Sequence, residues 1–236
     1  MTSEAVAGTA ARDGGSRRII VMMGAPGAGK GTQAERLAEA LDLPHVSTGE
    51  LFRAMRKSDT PLAKKVRDMM DAGELVPDDI VVAMVDDRLT WNDAAKGVIL
   101  DGFPRTVAQA EALDRMLTRI GSSVFAVPYI EVPQELLLAR LTGRRICTKD
   151  DQHVYHAMAL PPKREGVCDI DGAELFQRSD DSEATVQDRL DKQLPPMFEV
   201  VDYYAENEVL FPVPGDQPPE EVTEELLRVI GTRDAV

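Results

Sequence analysis

The chain has 236 residues, 43% hydrophobic and 29% charged, which is enough to bury a substantial core as one large domain or one domain with insertions. Its formal net charge of −14 argues against a general nucleic-acid or anionic-membrane binder, since either needs a basic face. A locally basic cleft is still compatible with that charge, and no apolar stretch approaches the ~20 residues that span a bilayer.

Residues 1–18, MTSEAVAGTAARDGGSRR, lack the apolar run of a secretory signal, and Glu4 and Asp13 argue against a transit peptide. They read as a disordered tail on a cytoplasmic protein. The apolar run Ile19–Met23 predicts a buried strand; GAPGAGKGT (Gly24–Thr32) follows it, ahead of a helical pattern over Gln33–Leu41. Strand, glycine-rich turn and helix are the setting in which such a turn binds phosphate. Glycines let backbone N–H groups close around an anion, the helix N-terminus adds partial positive charge, and Lys30 adds a full one. Gly31 stands where the generic motif has Ser or Thr, and Thr32 comes one place later, a departure that narrows the candidates.

Pro44–Val46 predicts a short strand. Leu62, Val66 and Met69 mark a helix, and Pro77-Asp78 opens another over Ile80–Leu89. Val98–Leu100 reads as a strand that runs into DGFPRT, Asp101–Thr106. An aspartate at the C-terminal end of a central parallel strand lies beside the phosphate loop, where it can hold Mg2+ directly or through water. Arg105 follows into the same crevice. A helix over Val107–Ile120, a strand at Phe125–Glu131 and a helix from Pro133 to Leu141 come next.

From Gly143 to about Asp181 the helical period disappears. This segment holds both cysteines of the chain, with His153 and His156, and fits a compact insertion closed by small β-turns. Two cysteines cannot frame a disulfide-built fold, and the histidines, His45 included, read as structural. Thr185–Asn207 reads as a helix interrupted at Pro195-Pro196, Val209–Val213 as a strand and Val222–Ile230 as the last helix. Strands alternating with helices predict an α/β fold, a parallel sheet of five strands with helices on both faces. Arg53, Arg105, Arg140, Arg144, Arg145, Arg178 and Arg189 all fall near loops or element ends, a set suited to phosphate oxygens. Phosphoryl transfer rests on positioning and electrostatic stabilisation, so it needs no Ser-His-Asp or Cys-His arrangement, and the sequence suggests none.

GAPGAGKGT, STGELFR (Ser47–Arg53), DGFPRT and the RSDD of Arg178–Asp181 together resemble the adenylate kinase family, in its long form with a lid, over roughly Ile19 to Ile230. The resemblance implies a P-loop NTPase-like parallel five-stranded sheet flanked by helices. Its core would be residues 19–46, 77–142 and 182–236, with a helical AMP-binding insertion at 47–76 and a small β-rich lid at 143–181. It implies reversible transfer of the terminal phosphoryl group from Mg-ATP to AMP, giving two ADP. The partners would be these small molecules, without nucleic acid or membrane, and the protein a monomer. ATP would lie on Gly27, Ala28, Gly29, Lys30, Gly31 and Thr32, with Arg140, Arg144, Val154, Tyr155 and Gln217 around it. AMP would lie among Thr48, Arg53, Glu74, Leu75, Val76, Gly102, Phe103, Pro104, Arg105 and Gln109, with Arg178 and Arg189. Lys30, Arg105, Arg144, Arg178 and Arg189 would form the catalytic set, and Asp101 would hold Mg2+ through water.

The chain departs from the family pattern in the lid. Many members hold it with zinc through two pairs in Cys-x-x-Cys style. Cys168 and Asp171 match the second pair, whereas the first has Cys147 and then Asp150, in a turn one residue longer than usual. Structural Zn2+ on Cys147, Asp150, Cys168 and Asp171 is chemically possible, though weaker than on three or four thiolates. The rival is a metal-free lid pinned by hydrogen bonds among those positions. Pro195-Pro196 precedes the usual proline of the penultimate long helix, which would shift a kink and spare the active site. Gln217 replaces a basic residue whose family contact is through backbone. Two other readings are weighed: a GTP:AMP phosphotransferase or other nucleoside monophosphate kinase, and a non-catalytic nucleotide-sensing module. The latter should have lost Lys30 or an arginine, and none is missing.

Overall fold

The structure, a computed structural model, describes residues 17–56, 76–150, 152–178 and 181–234, with positions 60, 63, 64, 66 and 69. Among the described residues the strands are β1 (Arg18–Gly24), β2 (His45–Ser47), β3 (Gly97–Asp101), β4 (Val124–Glu131), β5 (Arg144–Cys147), β6 (Val154–His156), β7 (Leu175–Phe176) and β8 (Leu210–Pro214). The helices are α1 (Lys30–Leu41), α2 (Thr48–Arg56), α3 (Asp78–Leu89), α4 (Val107–Arg119), α5 (Gln134–Gly143), α6 (Glu183–Glu206) and α7 (Pro219–Asp234). The strand at Arg18 and the hydrogen bond from Arg17 to the Leu89 carbonyl bring the last two residues of the expected tail into the fold. Residues 1–16 lie outside the described residues, as do Leu62 of the helix expected after residue 60 and the site candidates Glu74 and Leu75.

The main sheet is five-stranded and parallel, in the order β2-β3-β1-β4-β8. β1 is buried on both faces, with Ile19, Ile20 and Val21 fully inaccessible, as a central strand between two helical layers must be. Two sets of helices pack among themselves: α1 with α7, and α3, α4, α5 and α6 in a chain of contacts. Register fixes the functional edge. Met22 pairs with Asp101 and Ser47 also pairs with Asp101, so the chain leaves β1, β2 and β3 at one level. The crevice beyond the carboxyl ends of parallel strands is where α/β sheets take ligands.

A second sheet is formed by strands that fall within the stretch expected to be an insertion. There β5 sits between β6 and β7 in an antiparallel sheet, over a small core of Cys147, Tyr155, Cys168 and Leu175. One expectation fails in the long helix: α6 runs unbroken through Pro195 and Pro196. Proline deletes the N–H that would bond four residues back, which leaves the carbonyls of Asp191 and Lys192 unserved. Both residues are exposed, so water can serve those carbonyls. Val186 and Leu190 before the prolines, and Met197, Val200 and Tyr204 after them, are buried and hold the two halves on the same core.

Candidate active site

The phosphate loop leaves β1 at Gly24 and enters α1 at Lys30. Gly29 caps the helix in the left-handed region, φ 96°, which glycine adopts without steric penalty. No acidic side chain stands in the first turn of α1, so its N-terminal charge faces the cleft uncompensated. The Lys30 ammonium donates to the carbonyls of Gly24 at 2.7 Å and Ala25 at 2.9 Å, folding back over the loop. Burial pulls its pKa down to about 8; Asp101 opposes the shift, and Arg105, Arg189 and Arg144 reinforce it.

Gly27 to Thr32 line a cleft of about 590 Å³ together with Lys30, Asp101, Gly102, Arg105, Arg140, Arg144, Arg178, Arg189, Val154, Tyr155 and Gln217. A strongly cationic lining on a protein of net charge −14 is the local exception that the composition allowed. A second cavity of about 90 Å³ adjoins it, lined by Lys30, Gly102, Pro104, Arg105, Arg189, Gln193 and Pro196. Pro196 therefore stands in the wall of the cavity that the phosphate-loop lysine also lines, so one of the two prolines of α6 does reach it.

Arg105, Arg140 and Arg144 each have a fixing contact. Arg105 Nε donates to the Gly102 carbonyl at 2.8 Å; burial, then Arg189, push its pKa down against the pull of Asp101. Arg140 donates to the Gly215 carbonyl at 2.8 Å, tying α5 to the loop after β8. Arg144 makes a two-pronged pair with Asp181, at 2.9 and 2.6 Å, and Asp181 is wholly buried. Such a fork holds a guanidinium in one orientation.

Asp101 ends β3. Burial pushes its carboxyl up, but His45, Lys30 and Arg105 together outweigh that and keep it below the ordinary carboxylate range. Its Oδ2 lies beside Gly31, where an added Cβ would be in van der Waals contact with it at 3.6 Å. Asp101 lines the cleft, and a carboxylate there suits a hard, oxygen-seeking cation such as Mg2+. His45 Nε2 lies 3.6 Å from the same oxygen and, although buried, has no hydrogen-bond partner within the protein. Burial lowers the His45 pKa, but Asp101 more than compensates and raises it. The sequence suggests a structural role for His45, yet it lines the cleft.

The residues matched to AMP are distributed differently. Thr48 is buried and donates to the Gly102 carbonyl at 3.0 Å. The Gln109 amide is committed to Asp78 at 2.7 Å and to the Arg105 N–H at 2.8 Å, so it braces the loop that carries Arg105. Phe103 and Val76 are buried, and neither lines the two cavities. Arg53 lies in α2, but its side chain is outside the described set.

Around the second sheet, Cys147, His153, Cys168 and Asp171 bring one ligand atom each within 4.8 Å of one another. His153 takes the place that the Cys-x-x-Cys pattern gives to Asp150. Cys147 Sγ lies 3.4 Å from Asp171, His153 Nδ1 lies 3.2 Å from Asp171, and Cys168 Sγ lies 3.5 Å from His153 Nδ1. These are close to the ligand–ligand edges, about 3.4–3.8 Å, of a tetrahedron with zinc bond lengths. Asp150 instead sits 3.5 Å from the other ring nitrogen of His153, the position from which a carboxylate orients an imidazole ligand. The Ala173 N–H chiefly holds Asp171 down to about 2 against burial, with the two thiols and His153 assisting.

A glycine-rich loop, a lysine and a ring of arginines at the carboxyl edge of a parallel sheet define a P-loop nucleotide phosphotransferase. The family model described as adenylate kinase matches residues 22–209. Adenylate kinases of Streptomyces coelicolor and Carboxydothermus hydrogenoformans are 47% and 51% identical over 89% and 86% of this chain, covering 97% and 94% of their own lengths. That of Staphylococcus aureus is 44% identical over 89% of the chain and 98% of its own. The chain belongs to the adenylate kinase family, whose enzymes transfer the terminal phosphoryl group of ATP to AMP and give two ADP.

Proposed function

We propose that the 590 Å³ cleft is the phosphoryl-transfer site and that the arginines around it divide between the two nucleotides. The observation that supports this most directly is the convergence of Lys30, Arg105, Arg144, Arg178 and Arg189 on one cleft at the carboxyl ends of β1 and β3. Gly27–Thr32 hold the ATP phosphates with backbone N–H groups and Lys30. Arg140, Val154, Tyr155 and Gln217 bound its nucleoside end. Thr48, Arg53, Glu74, Leu75, Val76, Gly102, Phe103, Pro104, Arg105 and Gln109 form the AMP side. A phosphate oxygen of AMP, ionised at neutral pH, attacks the γ-phosphorus in line, so no strong general base is required. Arg105, Arg144, Arg178 and Arg189 stabilise the charge spread over the equatorial oxygens. Asp101 would hold Mg2+, which would supply further neutralisation of the ATP phosphates. The lid excludes water, the competing acceptor.

Zn2+ on Cys147, His153, Cys168 and Asp171 is the lid metal this geometry supports, in a structural role. A monomer acting on the adenine nucleotides of the cytoplasm completes the reading; among the described residues no helix is long and apolar enough to cross a membrane. A coupled assay across donors and acceptors tests it. ADP should form fastest from ATP and AMP with Mg2+. Binding of both nucleotides without ADP formation would defeat the enzymatic reading, and faster turnover with GTP would reassign the donor.

A further inference from the structure

Gln152, in the lid turn between Cys147 and His153, donates its side-chain amide to Glu50 Oε1 at 2.6 Å. Glu50 lies in α2, 102 residues away in sequence, in the helix that opens with Thr48 and carries Arg53. The contact therefore joins the unit holding Arg144 and Arg178 to the unit proposed to hold AMP. We propose that Gln152 and Glu50 are positioning residues that tie the closed lid to α2, so that closure over one nucleotide favours closure over the other. This rests on the reading of the cleft as a two-nucleotide site.

The surroundings explain why an amide is needed there. Glu35 of α1 has His45, Asp150, Glu50 and His153 as its charged neighbours; burial raises its pKa, the two histidines pull it down, and Asp150 and Glu50 push it up. The carboxylates of α1, α2 and the lid turn thus share one seam, where a further negative charge is unfavourable. Gln152 offers the seam a neutral donor and turns Glu50 from a repelling group into an acceptor, in a short charge-assisted bond. The turn is built to present it. The Gln152 N–H donates to Asp150 Oδ1 at 3.0 Å, the His153 N–H to the Asp150 carbonyl at 3.2 Å, and the Cys147 N–H to the His153 carbonyl at 3.1 Å. Ordering this turn costs conformational entropy once, in the lid fold, so little more is lost when the bond forms.

Linkage makes the test direct, because a bond made only when both units close appears as mutual enhancement of the two affinities. AMP affinity would be measured by calorimetry on the full chain, with and without the non-hydrolysable donor analogue AMP-PNP and Mg2+. In the wild type the analogue should tighten AMP binding. Gln152→Ala and Glu50→Ala should each reduce that enhancement by about three- to tenfold, the worth of one such bond, and the double variant no further. Gln152→Glu should reduce it more than Gln152→Ala, because it adds a carboxylate to the seam, an effect that loss of local packing would not produce. Gln152→Lys should restore it. Unchanged enhancement in the single variants, additive losses, or equal effects of Ala and Glu at position 152 would overturn the proposal. A wild type that binds neither nucleotide would instead overturn the two-nucleotide reading.

Discussion

Lys30 keeps its charge against burial, and that tension is measurable. Its folded pKa of about 8 lies below the ordinary 10.5, so the charged form is penalised in the free cleft. The unfolded chain binds more protons between those values, and this group therefore adds stability as pH rises from about 8 towards 10.5. Nucleotide phosphates favour the ammonium and raise its pKa on binding. ATP affinity should be full below about 8 and fall as pH rises beyond it, with proton uptake on binding. Calorimetry at about pH 8.5 in two buffers of different ionisation heat would detect this uptake; equal heats would mean that Lys30 is already charged in the free protein. Arg105 is a second test at this scale. Its half-buried side chain lines the cleft, so Arg105→Ala should lower turnover by about two to four orders of magnitude. Turnover near that of the wild type would remove it from the phosphate crevice. Residues such as these were legible in the sequence because phosphate chemistry restricts both type and spacing. His153 was not, because its ring reaches the two cysteines across a turn whose path no pattern specifies, and Asp150 occupies the familiar spacing.

Among the elements, the junction of α5 with β5 carries a dependence invisible in the sequence. His156 Nε2 lies 3.0 Å from the Ala139 carbonyl in α5, while its Nδ1 accepts the N–H groups of Met158 and Ala159 at 3.1 and 2.9 Å. The ring thus pins the turn after β6 to α5, and it does so across Gly143, where an added Cβ would collide with the imidazole. Gly143→Ala should displace His156, destabilise the protein by about 1–3 kcal/mol and lower Tm by roughly 2–10 °C. If the clash is the cause, a second change, His156→Ala, should relieve part of the loss, and additive losses in thermal melts would refute it. The helices packed on the main sheet were otherwise readable, since the apolar period follows burial, whereas α2 was not singled out by any such period. The unbroken course of α6 was not, because proline chemistry forecasts a break and only the packing of both halves on one core prevents it.

At the scale of the molecule, the lid and the main sheet are held together by different means. The sheet is enclosed by one extensive core, whereas among the described residues the second sheet has a small buried cluster of its own, Cys147, Tyr155, Cys168 and Leu175, with Ala173 against them. Full burial of a large apolar side chain contributes about 1.5–3 kcal/mol, so this cluster offsets little of the entropy lost by the lid backbone. Small units of this kind are commonly secured by a metal or a disulfide. The two thiols are free, and they converge with His153 and Asp171. Protein purified without a histidine tag should therefore carry close to one zinc per chain. At metal concentrations a hundred times Kd, binding adds about 2.7 kcal/mol, so chelation should lower Tm by roughly 5–10 °C. His153→Ala should abolish both the zinc and the chelator effect. Asp150→Asn should retain the metal with reduced affinity, because Asp150 meets the outer nitrogen of the ring and supports His153 from behind. If Asp150→Asn loses zinc while His153→Ala keeps it, the ligand set is the one the sequence pattern suggested. If the wild type holds no zinc and chelation leaves Tm unchanged, the lid is pinned by the hydrogen bonds of Asp171 to Cys147, His153 and Ala173 alone.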